Sequence, residues 1–173
     1  MRAPPLLCLL TLLWAAAPAT AQTPASPRVL GSFQDWTAAA YEEGGQRICY
    51  AFTRAHRSEG PGPRRAEEAQ LMVTHRPDGR DQVALRLGYP IPRGAELRLA
   101  VGAAEFAAYT HQGSAFLRDG RAAVAAMRAQ RQALARAPGQ GGRAAVQLVF
   151  SLSGFSAAYD AISRACPTTA ARR

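Results

Sequence analysis

The sequence predicts a mainly β fold, an antiparallel β-sandwich or barrel-like domain with two short helices. Short segments of alternating apolar and polar residues recur along the 173-residue chain, separated by turns that contain Gly, Pro or Asp. Helical periodicity appears in only two places. No internal repeat, heptad or second domain boundary is visible. These observations indicate roughly eight or nine short strands in a single domain.

The predicted strands follow one another along the chain. Residues 33–38 alternate as a half-buried strand does, and 47–54 form a hairpin with them across a Glu-Glu-Gly-Gly turn. Residues 55–68 are polar, contain Gly-Pro-Gly-Pro, and are predicted to form a long loop. Further strands are predicted at 69–75, 82–87, 96–101, 105–110, 114–118 and 144–152.

The first helix is predicted at 121–128, with Asp119 as its capping residue. Its good helix formers continue to residue 137, so the segment 133–136 is compatible with either helix or strand. The second helix contains Phe155, Tyr159 and Ile162 on one face, with Ser153 as its predicted cap.

The N-terminus has the layout of a cleavable secretory signal peptide. Met1-Arg2 precedes an apolar run from Leu6 to Ala17, and Ala19-Thr20-Ala21 provides a cleavage site. The run is short for a membrane anchor, which is the alternative interpretation. We therefore predict a signal peptide at 1–21, a flexible Pro/Ser-rich lead-in at 22–32, and one domain at 33–173. The protein is expected in the periplasm, with outer-membrane association as an option.

The cysteines predict one disulfide. Cys8 leaves with the signal peptide, so the exported chain retains Cys49 and Cys166. An even pair in an oxidising compartment favours a bond between them, which would tie the second helix to an early strand. Two buried free thiols are the alternative. No Cys-x-x-Cys motif supports redox catalysis or haem attachment.

The charge of the chain is strongly positive, with a formal net charge of +9 that comes from arginine alone, because the chain contains no lysine. Such charge favours anionic partners, including lipid headgroups and lipopolysaccharide, although a biased composition also accounts for it. The arginines are scattered without interleaved aromatic residues, so a nucleic-acid partner is not predicted. The candidate anion contacts lie beside or within the predicted loop, with peripheral membrane contact as an option. They are Arg54, Arg57, Arg64 and Arg65.

The sequence predicts no catalytic site, metal site or cofactor. Its histidines lack the spacing of zinc ligands, and no Gly-x-Ser-x-Gly nucleophile motif occurs. Asp78 and Asp81 are expected on a solvated turn. A pocket that joins His75 to Asp78 or Asp81 would instead indicate a hydrolase of unrecognised type. Trp36 is predicted to be a buried core anchor, with an exposed ligand platform as the alternative.

Several segments resemble the invasion-associated locus B family of exported Gram-negative proteins. The most specific are Ile48-Cys49-Tyr50-Ala51 and the Ser-Leu-Ser-Gly-Phe-Ser-Ala-Ala stretch at 151–158, and the likeness covers nearly all of 33–166. The resemblance implies a β-rich domain associated with the periplasm or outer membrane, and implies that 133–136 is a strand. It provides no catalytic residues to carry over. The structural motif residues it marks are Trp36, Tyr50, Gly88, Tyr89, Pro90, Gly154 and Phe155.

We therefore expect an exported, non-enzymatic cell-envelope protein. It would support envelope integrity or contact a surface, through an envelope or host component that the sequence does not identify. An arginine-mediated binding module for anionic envelope components is the first alternative, and a periplasmic hydrolase is the second.

Overall fold

The computed structural model describes residues 26–60, 65–111, 113–142 and 144–168, which form ten β-strands and two α-helices. The strands are β1 (Arg28–Phe33), β2 (Trp36–Glu43), β3 (Gln46–Glu59), β4 (Gln70–Arg76), β5 (Gly79–Arg86), β6 (Leu97–Val101), β7 (Ala104–His111), β8 (Ser114–Leu117), β9 (Gln132–Ala137) and β10 (Val146–Ser151). The helices are α1 (Gly120–Ala129), between β8 and β9, and α2 (Phe155–Ala165), after β10.

Eight of these strands close into an antiparallel barrel. Around the barrel the order is β3, β10, β9, β6, β7, β8, β5 and β4, and β4 pairs with β3 to complete the ring. β1 and β2 form a hairpin that is attached to β3 outside this ring. The predicted mainly β fold with two helices is confirmed, and of the two predicted architectures the chain adopts the barrel.

β3 closes the barrel by pairing with β4 on one edge, while the two halves of its other edge have different partners. Its first half pairs with β2, where Thr37 lies opposite Phe52, and its second half pairs with β10, where Phe150 lies opposite Ala55. The next pair is Val149 with Arg57, so His56 is an extra residue, as in a β-bulge. The bulge bends β3 between the hairpin and the ring.

The core lies inside the barrel and beneath the helices. Alternate side chains of the strands point inward, as the sequence pattern predicts; in β4 these are Leu71, Val73 and His75. Trp36 is fully buried, which confirms its predicted role as a core anchor. Its indole Nε1 donates a hydrogen bond to the Ser151 carbonyl at 2.9 Å, and its ring centroid lies 4.8 Å from that of Phe155.

Capping hydrogen bonds and backbone conformation determine where the two helices begin and end. The Asp119 side chain accepts a hydrogen bond from the Ala122 amide, which confirms the predicted cap of α1. After α1 the chain becomes the strand β9, so 133–136 is a strand, as the family resemblance implied. Ser153 does not cap α2, because the residue before this helix is Gly154, with a left-handed φ of 87° and no side chain to cap with.

Three further local predictions are wrong. Residues 28–32 of the predicted flexible lead-in form most of β1, because they pair with the edge of β2. The strand predicted at 33–38 is interrupted by a turn at 34–35, where Gln34 has a φ of 52°. The loop predicted at 55–68 is shorter, since β3 continues to residue 59 against β10.

Candidate functional site

The disulfide between Cys49 and Cys166 is present. It joins β3 to the residue that follows α2, across 117 residues of sequence, with the two Cα atoms 6.0 Å apart. Cys49 is fully buried and lies directly opposite His75 of β4. The bond therefore fixes the end of α2 to β3, as predicted for the cysteine pair, and places it beside an inward-facing histidine.

A polar cluster surrounds His75 where β4, β5 and α2 meet. We use the term polar cluster for five residues, which are His75, Arg80, Asp81, Tyr159 and Ser163. The His75 Nε2 atom lies 3.1 Å from the Ser163 hydroxyl, and the Tyr159 hydroxyl donates to the Asp81 carboxylate at 2.7 Å. Arg80 donates to the Ser163 hydroxyl at 3.3 Å and also to the Cys166 carbonyl. Sequence reasoning found His75 and Asp81 but missed Tyr159 and Ser163 as polar partners.

Hydrogen-bond directions in the polar cluster assign a role to each nitrogen of the His75 ring. The backbone amide of Asp81 donates to Nδ1 at 3.3 Å, so Nδ1 acts as an acceptor. The ring proton is then on Nε2, which donates to the Ser163 hydroxyl. Burial and, to a lesser extent, the positive charge of Arg80 outweigh the opposing effect of Asp81 and together lower the pKa of His75 to about 4. The imidazole is thus neutral at pH 7.

The combination of Ser163, His75 and Asp81 has the composition of a catalytic triad but not its arrangement. In a triad the carboxylate holds a proton on Nδ1 so that Nε2 can accept the serine proton. Here the closest Asp81 oxygen is 3.8 Å from Nδ1, Nε2 is the donor, and His75 is fully buried. A neighbouring groove is lined by Arg80 and Cys166 but by neither His75 nor Ser163. The geometry supports a structural role for this cluster.

The two aspartates predicted on a solvated turn differ from each other. Asp78 is exposed, as predicted. The Asp81 side chain is only 14% exposed because it is covered by Tyr159 from α2, so the prediction is wrong for Asp81. Burial raises the pKa of Tyr159, and its hydrogen bond to Asp81 adds to the effect.

A second candidate site lies on the outer surface of the barrel. We use the term aromatic face for the outward side of β3, β4, β5 and β8, defined by Tyr50, Phe52, Met72 and Phe116 with Arg54 and Arg86 at one end. These side chains line a groove of about 750 Å³. The Tyr50 and Phe52 rings stack with centroids 6.0 Å apart and planes inclined by 26°. Burial raises the pKa of Tyr50, and the neighbouring Tyr41 adds to the effect.

The structure separates the four arginines predicted as anion contacts. Arg54 lies on the aromatic face. Arg57 forms an ion pair with Glu59 at 3.3 Å, and Arg65 is exposed at the start of a short 3₁₀ turn, away from the groove. Arg64 lies outside the described residues. Sequence reasoning missed Arg86, which is 32 residues from Arg54 but lies two strands away in the sheet.

Several of the motif residues marked by the family resemblance stabilise the fold through hydrogen bonds, turns or packing. The Tyr89 hydroxyl donates to the Pro138 carbonyl at 2.8 Å, and burial raises its pKa to about 12. Gly88 precedes Tyr89 and has a φ of 79°. A Cβ atom at position 88 would lie 2.7 Å from the Cβ atom of Glu68, so the position favours glycine. Pro90 is exposed and Phe155 is buried against Trp36. Among the seven, only Tyr50 lies on the aromatic face.

Within the ranges that the structure describes, no group of three histidine, cysteine, aspartate or glutamate side chains could hold a metal ion. None of the helices in these ranges is both long and apolar enough to span a membrane.

Comparison with solved structures identifies the fold. The crystal structure of invasion associated protein B from Bartonella henselae superimposes with a TM-score of 0.58 and 18% sequence identity, covering 82% of this chain and 97% of that protein. The chain has the fold of invasion associated protein B. No protein-family model matches the sequence, and no curated protein matches it. The resemblance to the invasion-associated locus B family is therefore confirmed at the level of the fold.

Proposed function

We propose that this protein is an exported, non-enzymatic protein of the cell envelope, of the invasion-associated locus B type, that acts through its surface. The Cys49–Cys166 disulfide is the observation that carries the proposal. Disulfides form and persist in oxidising compartments such as the periplasm, and are rare where thioredoxin and glutathione keep thiols reduced. The signal-peptide pattern in residues 1–21, outside the described residues, supports the same compartment.

The polar cluster supports the non-enzymatic part of the proposal. In this cluster a serine, a histidine and an aspartate meet, and the histidine donates to the serine rather than accepting from it. A hydrolase of this type would need the opposite tautomer and an open route to the serine. We therefore assign these residues to the attachment of α2.

The fold comparison supports a surface role, since the similar Bartonella protein is described as invasion associated. In this chain the aromatic face is the surface best suited to contact an envelope or host component. Half-buried aromatic side chains beside arginines are typical of binding surfaces, because they offer apolar area together with charge.

Export can be tested by expressing the full chain in a Gram-negative bacterium and measuring the mass and free thiols of the protein in each cell fraction. We expect a periplasmic product that begins at Gln22 and has no thiol reactive before reduction. An Ala21→Leu variant should remain unprocessed, because the cleavage site requires small residues. A full-length cytoplasmic product with reactive Cys49 and Cys166 would contradict the proposal.

A second candidate function, binding of anionic components through arginine, is favoured by the position of Arg54 and Arg86 at the same end of the groove. It is compatible with export and concerns what the surface binds.

A further inference from the structure

The groove on the aromatic face has the volume of a ligand site. Its groove of about 750 Å³ falls within the range of small-molecule sites, roughly 300–1,000 Å³. The groove exists because the residues opposite one another on neighbouring strands differ in size. Phe52, Met72, Ala84 and Phe116 are consecutive partners across β3, β4, β5 and β8, and Ala84 leaves a low floor between bulkier neighbours.

Polar side chains alternate with this apolar row. In the next row, on the side away from Arg54 and Arg86, Tyr50 lies opposite Thr74, and Thr74 lies opposite Gln82. Ser114 also lines the groove. A purely apolar occupant such as an acyl chain would remove these hydroxyl and amide groups from water without giving them partners, which is unfavourable. The occupant that fits has apolar ring faces and hydroxyl groups together.

Uncompensated positive charge is concentrated at one end. Arg54 and Arg86 lie on either side of Gln70 in a single cross-strand row, about 10 Å apart at the backbone as two strand spacings require. Among the described residues no carboxylate lies within 4.0 Å of either guanidinium. Arg54 donates one hydrogen bond to the Glu67 carbonyl at 3.3 Å, which leaves its charge without an acidic partner, so an acidic ligand group at this end would be attracted by both arginines.

The opposite end of the groove is neutralised. Arg76 there pairs with Glu43 at 2.6 Å, and Asp78 adds a negative charge. A polynucleotide carries a phosphate at every residue and requires basic groups along its whole path. Charge at one end only fits a ligand with one acidic terminus and an uncharged remainder.

We propose that the aromatic face binds an oligosaccharide that carries an acidic sugar at one end. The acidic group contacts Arg54 and Arg86, and the C–H face of a neutral sugar ring packs on the Tyr50 and Phe52 rings. The sugar hydroxyls form hydrogen bonds with Gln70, Thr74 and Gln82. This deepens the proposed surface role by naming a ligand class, and it rests on that role only for its biological setting.

The test uses purified mature protein and two acid-ended trisaccharides, 3′-sialyllactose and aldotriouronic acid, with lactose and xylotriose as neutral counterparts. Binding is measured by calorimetry at low and high salt. We expect at least one acid-ended sugar to bind, its neutral counterpart to bind roughly tenfold more weakly or not at all, and salt to weaken binding.

Variants test whether binding occurs at this face. Arg86→Gln and Arg54→Gln should each weaken binding roughly five- to tenfold, since each removes a charge-assisted contact. Phe52→Leu keeps apolar volume but removes the flat ring, and should also weaken binding. Arg136→Gln, an exposed arginine of β9, is the matched control and should bind like the parent. Thermal melts of every variant verify folding.

The proposal is overturned if neither acid-ended sugar binds, or if binding is unaffected by the Arg54, Arg86 and Phe52 substitutions in folded protein. It is also overturned if hexathymidylate or phosphatidylglycerol vesicles bind more tightly than both sugars through the same residues, which would indicate a nucleic-acid or a membrane surface instead. These outcomes are independent of the fractionation experiment, because binding is measured on purified protein whatever its cellular location.

Discussion

His75 combines complete burial with hydrogen bonds at both ring nitrogens. The Asp81 amide supplies a donor on one side and Ser163 supplies an acceptor on the other, so the neutral ring is satisfied without a charge. Protonation would place a second hydrogen against the Asp81 amide and a positive charge near Arg80. Burial is the main cause of the downward shift in the His75 pKa, and the positive charge of Arg80 adds to it.

We predict that the free energy of unfolding falls as the pH is lowered from about 6.5 to about 4. The unfolded chain binds a proton at His75 with the ordinary pKa of 6.5, whereas the folded chain resists protonation until about pH 4. The folded state therefore loses stability on acidification, on the order of 3 kcal/mol from this residue. Urea unfolding at a series of pH values measures the slope.

Replacement of the histidine provides the control for this prediction. His75→Gln should flatten the pH dependence in that window, whereas His111→Gln, at an exposed position of β7, should leave it unchanged. An NMR titration of the parent protein gives the same information without a core substitution. A midpoint near 6.5 for the His75 ring would contradict the prediction.

At the scale of residues, the sequence identified His75 and Asp81 but not the hydrogen-bonding role of each side chain. His75 and Asp81 were recognisable as titratable neighbours because they are six residues apart around a turn. Their partners Tyr159 and Ser163 come from α2, more than 70 residues later, and only tertiary packing brings them together. The direction of a hydrogen bond cannot be obtained from residue types alone, since a neutral imidazole can donate from either nitrogen.

At the scale of elements, the connection from β10 to α2 depends on one glycine. Gly154 has a φ of 87°, and a Cβ atom on it would lie 1.9 Å from the Phe33 carbonyl oxygen of β1. The backbone therefore both turns into the left-handed region and passes directly against another strand. Side chains other than glycine are disfavoured for both reasons.

We predict that Gly154→Ala lowers the free energy of unfolding well beyond the roughly 1–2 kcal/mol of the left-handed backbone alone, because the clash with Phe33 adds to it. Gly94→Ala is the matched control. Gly94 has a φ of 72° but nothing within 4 Å of the added atom, so only the backbone contribution applies. Equal losses in thermal or urea unfolding for the two variants would contradict the close approach.

Elements were predictable where the alternation of side chains is local and regular. The strands from β4 to β8 and β10 follow such alternation. The prediction failed at β1 and at the end of β3, whose strand character depends on edges supplied by β2 and by β10. Pairing with a partner some 90 residues away leaves no mark in the local pattern of 55–59. For the same reason the sequence does not indicate that Arg86 lies near Arg54 and is a candidate anion contact.

At the scale of the whole molecule, the disulfide closes a loop that includes most of the barrel. We predict that replacing Cys49 and Cys166 together by alanine lowers the free energy of unfolding by up to about 4–5 kcal/mol, because a 117-residue loop is released in the unfolded chain. Urea unfolding of the variant and of the reduced parent protein measures the change. If reduction leaves the midpoint unchanged, the bond does not stabilise the fold in this way.

The barrel itself was predictable only as one of two options. Alternation along each strand indicates which side chains face inward, but a sandwich and a barrel share that pattern. The deciding feature is the pairing of β3 with both β4 and β10, which closes the ring. The bulge at His56 accompanies this pairing and is not visible in composition or period.

The hairpin of β1 and β2 lies outside the ring, and this has a consequence for how the molecule opens. None of the eight strand pairings that form the ring uses a hydrogen bond from β1 or β2. The hairpin can therefore detach while the ring stays intact. Because α2 packs mainly on β1, β2 and β3, such detachment would loosen the helix, but Cys166 keeps its end tethered. Amide protons of the hairpin should thus exchange with solvent through partial opening, and those of the ring only through global unfolding. The domain would then show two levels of protection against hydrogen exchange.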